Sequence, residues 1–174
     1  MPRRTYLSYH HRLDVFRACQ IRDSGVIEPN DLASEHVWAA ITRAGDTAIR
    51  RWIDDQMNEA GCAIVLIGPI TAGRKWVDYE IRKAWNDGLG LLGIHVHNLK
   101  NHYGSQTSKG GNPFAEVAIE GVSGALAAHV RCYDPPYLTS NEVYDYICAG
   151  LPLWIERAIA SRQSAQRWPA IRSA

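Results

Sequence analysis

The sequence predicts an α/β domain with an open, mostly parallel central sheet, and three observations carry that reading. Residues 62–68 (CAIVLIG) form a nearly unbroken apolar run, and 5–9, 91–96 and 128–133 form shorter ones. Short unbroken apolar strands are what a parallel sheet covered on both faces requires. Between these runs, apolar residues recur at helical spacing. Strand and helix signals alternate along the chain, as a sheet built from strand–helix–strand units demands.

The first strand falls at 5–9. Residues 11–29 should hold a first helix and a second strand, yet the stretch is short for both, and VFRACQI within it suits either. In 46–60, Ile49, Trp52, Ile53, Met57 and Ala60 mark a helix with one buried stripe. In 74–87, Val77, Ile81, Ala84 and Trp85 do the same. That stripe places Trp76 and Glu80 beside it rather than within it. Residues 98–124 are rich in Gly, Ser, Asn and Lys and long for a connection inside one domain. Such loops are usually functional or disordered, and a short strand is expected around 116–120. Thr139-Ser140-Asn141-Glu142 has the form of a capping box and opens a C-terminal helical segment over 139–162, with Val143, Ile147 and Leu151 inward. Gly150 and Pro152 are expected to break or kink it before 154–162 resumes.

Composition bounds the function. The 174 residues suit one domain over 1–174, with 46% hydrophobic and 21% charged residues. Lys and Arg number 19 against 18 Asp and Glu, so no basic face is implied and nucleic acid is a poor partner. The first residues hold no apolar stretch of signal length, and the run 62–68 is far too short to span a bilayer. Cys19, Cys62, Cys132 and Cys148 form no C-x-x-C pair and read as reduced thiols. A cytoplasmic protein without a membrane partner is expected.

Trp76 and Glu80 lie one helical turn apart on one face, just outside the carboxyl end of a central strand, where open α/β sheets bind ligands. An aromatic plane with a carboxylate suits a nucleotide sugar: the ring packs on a flat base or ribose, and the carboxylate stabilises positive charge at the anomeric carbon. A packing Trp with a solvated Glu is the plainer reading of so short a spacing.

Four segments occur in an informative order: Thr5-Tyr-Leu-Ser-Tyr-His-His11, Cys62-Ala-Ile-Val-Leu-Ile-Gly68, Lys75-Trp-Val-Asp-Tyr-Glu-Ile81 and Gly90-Leu-Leu-Gly-Ile94. Together they resemble the TIR-like family that includes the TIR proteins of Thoeris antiphage systems, most strongly over 5–97. The resemblance implies a flavodoxin-like three-layer fold and an NAD glycohydrolase or cyclase. It makes Glu80 the catalytic residue, and Ser8, Tyr9, His10, His11 and Trp76 the substrate-binding residues. It implies NAD as substrate rather than cofactor, a separate effector protein that responds to the product, and self-association through TIR contacts. The compressed 11–29 region departs from the family pattern and supports a rival reading, a non-catalytic interaction module.

Three other signals are set aside. Gly88-Leu-Gly-Leu-Leu-Gly93 fits G-x-G-x-x-G, but it follows a helix and enters a strand, the reverse of a dinucleotide fingerprint, so its glycines read as turn residues. His95 and His97 share a strand face near His102, but no Asp, Glu or Cys sits at ligand spacing, so no metal site is expected. His10 and His11 near Asp14 could act as a general base or equally as hydrogen-bonding residues at a strand end.

Overall fold

The structure is a computed structural model that describes residues 2–167. Five parallel strands form one sheet in the order β2-β1-β3-β4-β5: β1 (Arg4–Ser8), β2 (Glu28–Pro29), β3 (Cys62–Ile67), β4 (Gly90–His95) and β5 (Arg131–Tyr133). This is the flavodoxin-like order, with a reversal of direction between β1 and β3. The two central strands, β3 and β4, are buried along their whole length. Successive β3 side chains enter opposite layers, as the pleat dictates. Ala63, Val65 and Ile67 pack with α3 (Asp46–Met57) and α4 (Lys75–Asn86). Cys62, Ile64 and Leu66 pack with α1 (His11–Arg22) and α5 (Ser140–Arg167).

Residues 11–29 accommodate a full twelve-residue α1, and the shortening falls on β2, which has two residues. The sheet edge there needs no long strand, because Asn30 continues the attachment through backbone and side-chain bonds to β1. α2 (Glu35–Ala44), capped by Ser34, has no fully buried residue and lies outside the expected helices.

Three expectations are corrected. Residues 116–120 form no strand; Ala118 makes only an isolated bridge to Ala125, and Leu126–Ala128 form a 3₁₀ turn before β5. α5 does not end at Gly150 or Pro152 but runs through them as one helix. Gly150 is there for packing: a Cβ would lie 2.2 Å from the Trp154 indole, whose ring stacks on Tyr133 at 4.1 Å between centroids. Of the three glycines in the G-x-G-x-x-G run, only Gly88 has positive φ. Gly90 and Gly93 lie inside β4, where a Cβ would press on Ile159 of α5 or on Cys132, Ile67 and Phe114.

The 98–124 segment is folded against the body of the domain. Leu99, Phe114 and Val117 are buried in the two cores. Arg17 of α1, wholly buried, donates from Nε to the Leu99 carbonyl (2.8 Å) and from Nη2 to Thr107 Oγ1 (3.2 Å), and pairs with Asp14 (2.6 Å). Gly110 comes so close to Gly68 at the end of β3 that a Cβ would lie 1.9 Å from its carbonyl oxygen.

Candidate functional site

The carboxyl end of β1, the first turns of α1 and α4, and residues of α2 and α3 line an open cavity of about 300 Å³. Its lining includes Tyr9, His10, His11, Trp76 and Glu80, so five of the six expected site residues share one wall. The sixth, Ser8, stands behind Glu80 and holds it. Ser8 Oγ donates to Glu80 Oε2, and the Tyr6 hydroxyl donates to Oε1 at 2.6 Å. Both donors come from β1, and both are buried.

Glu80 itself is 7% exposed and lies within the buried face of α4, not beside it. The reason is register: β1 aims Tyr6 and Ser8 at the position of Glu80, so the carboxylate finds partners without solvent. Burial pushes its pKa up to about 7, against the two hydroxyl donors, which favour the ionised form. No cation is bonded to it among the described residues. A carboxylate so placed can accept hydrogen bonds from a ligand and meet a developing positive charge at close range.

The remaining side chains shape the cavity. His10 is the N-cap of α1, its Nδ1 accepting from the Leu13 amide. His11 Nε2 contacts the Ala33 carbonyl at 2.9 Å, and its ring lies between those of Tyr9 (5.8 Å) and Trp38 (5.0 Å). Burial lowers the pKa of both histidines, so they are neutral near pH 7. The half-buried Trp76 carries the Lys75 ammonium 4.8 Å from its ring centre. Asp14 pairs with Arg17 through Oδ1, and its buried Oδ2 makes no hydrogen bond among the described residues.

Trp38, Arg12, Arg74 and Lys75 also line the cavity and were absent from the expected set. Trp38 belongs to α2, which lies outside the expected helices. The basic trio was legible only in part: Arg74 and Lys75 adjoin Trp76, but Arg12 faces the cavity because β1 delivers α1 there.

Residues 6–101 match the family described as Thoeris protein ThsB, TIR-like domain. The chain belongs to this family. It is also 33% identical to a Bacillus cereus (strain MSX-D12) protein named "Putative cyclic ADP-D-ribose synthase ThsB1", over 75% of this chain and 70% of the relative. The family match begins at Tyr6 and takes in every residue of the TIR-like site named above, from the Tyr6–Ser8–Glu80 cluster to Trp76. No helix among the described residues is long and apolar enough to cross a membrane.

Proposed function

We propose that this Thoeris TIR-like protein cleaves the bond between nicotinamide and ribose in NAD and passes on an ADP-ribose-derived signal in cytoplasmic antiphage defence. The observation that carries the reading is the buried Glu80 carboxylate, held by Tyr6 and Ser8 and bonded to no cation among the described residues, in an aromatic-walled cavity at the β1–β3 switch point.

The reaction suits those groups. Cleavage of the C1′–N bond sends its electron pair to the pyridinium nitrogen, so nicotinamide leaves neutral and needs no proton. The ribose becomes oxocarbenium-like, as in other glycosyl transfers. Glu80 stabilises that cation and accepts from the ribose hydroxyls. Trp76, Trp38 and Tyr9 offer flat surfaces for the base and sugar, with His11 stacked between Tyr9 and Trp38. Arg12, Arg74 and Lys75 offer donors for the diphosphate, as does the first turn of α4, which has no side-chain cap. Water captures the cation and releases a proton to give ADP-ribose, or the substrate's own adenine captures it to give a cyclic product. The name of the Bacillus relative favours the cyclic product. A separate effector would read it. The bond cleavage calls for no further cofactor.

The cavity is at the lower end for ligand sites, which run from about 300 to 1,000 Å³. It takes the nicotinamide–ribose half of NAD, and a second copy of the chain would cover the rest, so activity should rise where the protein self-associates. The test is incubation with NAD and quantitation of free nicotinamide, with mass spectrometry of the second product, across protein concentration. Nicotinamide release by the wild type and not by Glu80→Gln is the expected result. No release at any concentration, with or without phage-infected lysate, would leave an interaction module instead.

A further inference from the structure

We propose that His95, His97 and Asp134 form a binding site for a first-row divalent transition cation, with zinc as the reference ion. One ring nitrogen from each histidine and one carboxylate oxygen lie within 4.8 Å of one another. The sequence hides this set, because the third ligand comes from beyond β5, 37 positions after His97. Parallel pairing of β4 with β5, which matches Ile94 to Tyr133, brings the two strand ends together.

Two imidazoles and a carboxylate form a donor set that suits zinc and, as the two-histidine, one-carboxylate set, ferrous iron. Zinc with bonds of about 2.0–2.2 Å holds tetrahedral ligands about 3.3 Å apart, so closure of up to about 1.5 Å is needed. The movement falls on the less buried ligands. His95 is 6% exposed and fixed at the end of β4, whereas His97 is half-buried and Asp134 is exposed.

A second observation is independent of that spacing. Nδ1 of His95 and Nδ1 of His97 are both buried without a hydrogen-bond partner. Buried polar atoms are nearly always paired, and two adjacent orphans on neighbouring rings need explaining. A cation taken up by these Nδ1 atoms would supply the missing partner. His102 is not part of the cluster; its ring packs on Tyr103 and Phe16. Lys109 is the natural competitor, since its ammonium bonds Asp134 Oδ2 at 2.6 Å.

The site lies on the β4–β5 half of the carboxyl edge, away from Glu80, and does not rest on the NAD reading. A cation there would tie the ends of β4 and β5 to each other beside the root of the 98–124 segment. The test uses the full chain freed of metal by chelator, titrated with zinc chloride by calorimetry and followed by thermal melting. One equivalent should bind. At a hundredfold excess over Kd the melting temperature should rise by roughly 5–10 °C. Asp134→Asn and His97→Ala should each weaken binding about tenfold or more while melting near the wild type in chelator. Lys109→Met should tighten it by freeing Asp134. Absence of saturable binding at about 0.1 mM zinc, or undiminished binding by both ligand variants, would overturn the site.

Discussion

Two buried carboxylates flank the carboxyl end of β1, and they are treated in opposite ways. Asp14 is wholly buried and pairs with the equally buried Arg17. Among the described residues, Glu80 is held by two hydroxyls alone. Burial raises both pKa values, and at Asp14 the guanidinium works against the rise. The first charge is balanced inside the protein, and its partner goes on to grip the 98–124 segment. The second is left without a cation beside a cavity. Internal compensation marks a structural carboxylate, and its absence marks one kept for a ligand.

The largest expected effect breaks the compensated site. Arg17→Met strands Asp14 without its cation and releases Leu99 and Thr107, which should cost about 3–5 kcal/mol in denaturant unfolding. Glu80→Gln removes the other charge and should have the contrary signature. Nicotinamide release should fall by about a hundredfold or more, with the fold intact by circular dichroism. A loss of only a few fold would remove Glu80 from the chemistry.

The pH dependence sharpens the contrast. Folding raises the Glu80 pKa from 4.5 to about 7, so the folded state holds that proton more tightly than the unfolded one. The stability it contributes is full below pH 4.5 and is lost as pH rises through 7. Glu80→Gln escapes that loss and should match or exceed wild-type stability at pH 8, by no more than about 3 kcal/mol. Activity runs the other way, because the ionised form stabilises the cation. The rate should fall about tenfold per unit as pH drops below 7. The smallest effect belongs to the donors. Tyr6→Phe and Ser8→Ala each withdraw a bond that favours the ionised form, so each should move that acid limb to higher pH and cost a few fold at neutrality. An unmoved limb would mean that another group sets the profile.

The contrast also shows what the sequence could disclose. β1, β3 and β4 were legible because a strand buried on both faces must be apolar throughout, and 62–67 contains nothing else. α2 was not, although it is amphipathic and packs Trp38 and Ile41 against the core, because it buries no residue fully. Trp76 and Glu80 could be paired from spacing within one helix. That Glu80 is buried could not be, since its burial depends on Tyr6 and Ser8, 74 and 72 positions away. Asp134 escaped notice for the same reason, as strand order and not spacing brings it to His95. Pro152 shows the converse: a strong local breaker was overridden, with Leu151, Trp154 and Ile155 buried on both sides of it.

Arg17 also bears on the order of folding. Its bonds reach the carbonyl of Leu99 and the hydroxyl of Thr107, 82 and 90 positions away. They cannot form until β3, α4 and β4 have brought those residues home, because closing so long a loop costs entropy before any bond returns it. The grip therefore belongs after the rate-limiting barrier. Arg17→Met should leave the refolding rate nearly unchanged and place almost all of its lost stability in faster unfolding, read from the two limbs of a denaturant chevron. The residue that holds the long segment in place would then govern how long the native state lasts, and not how quickly it is reached.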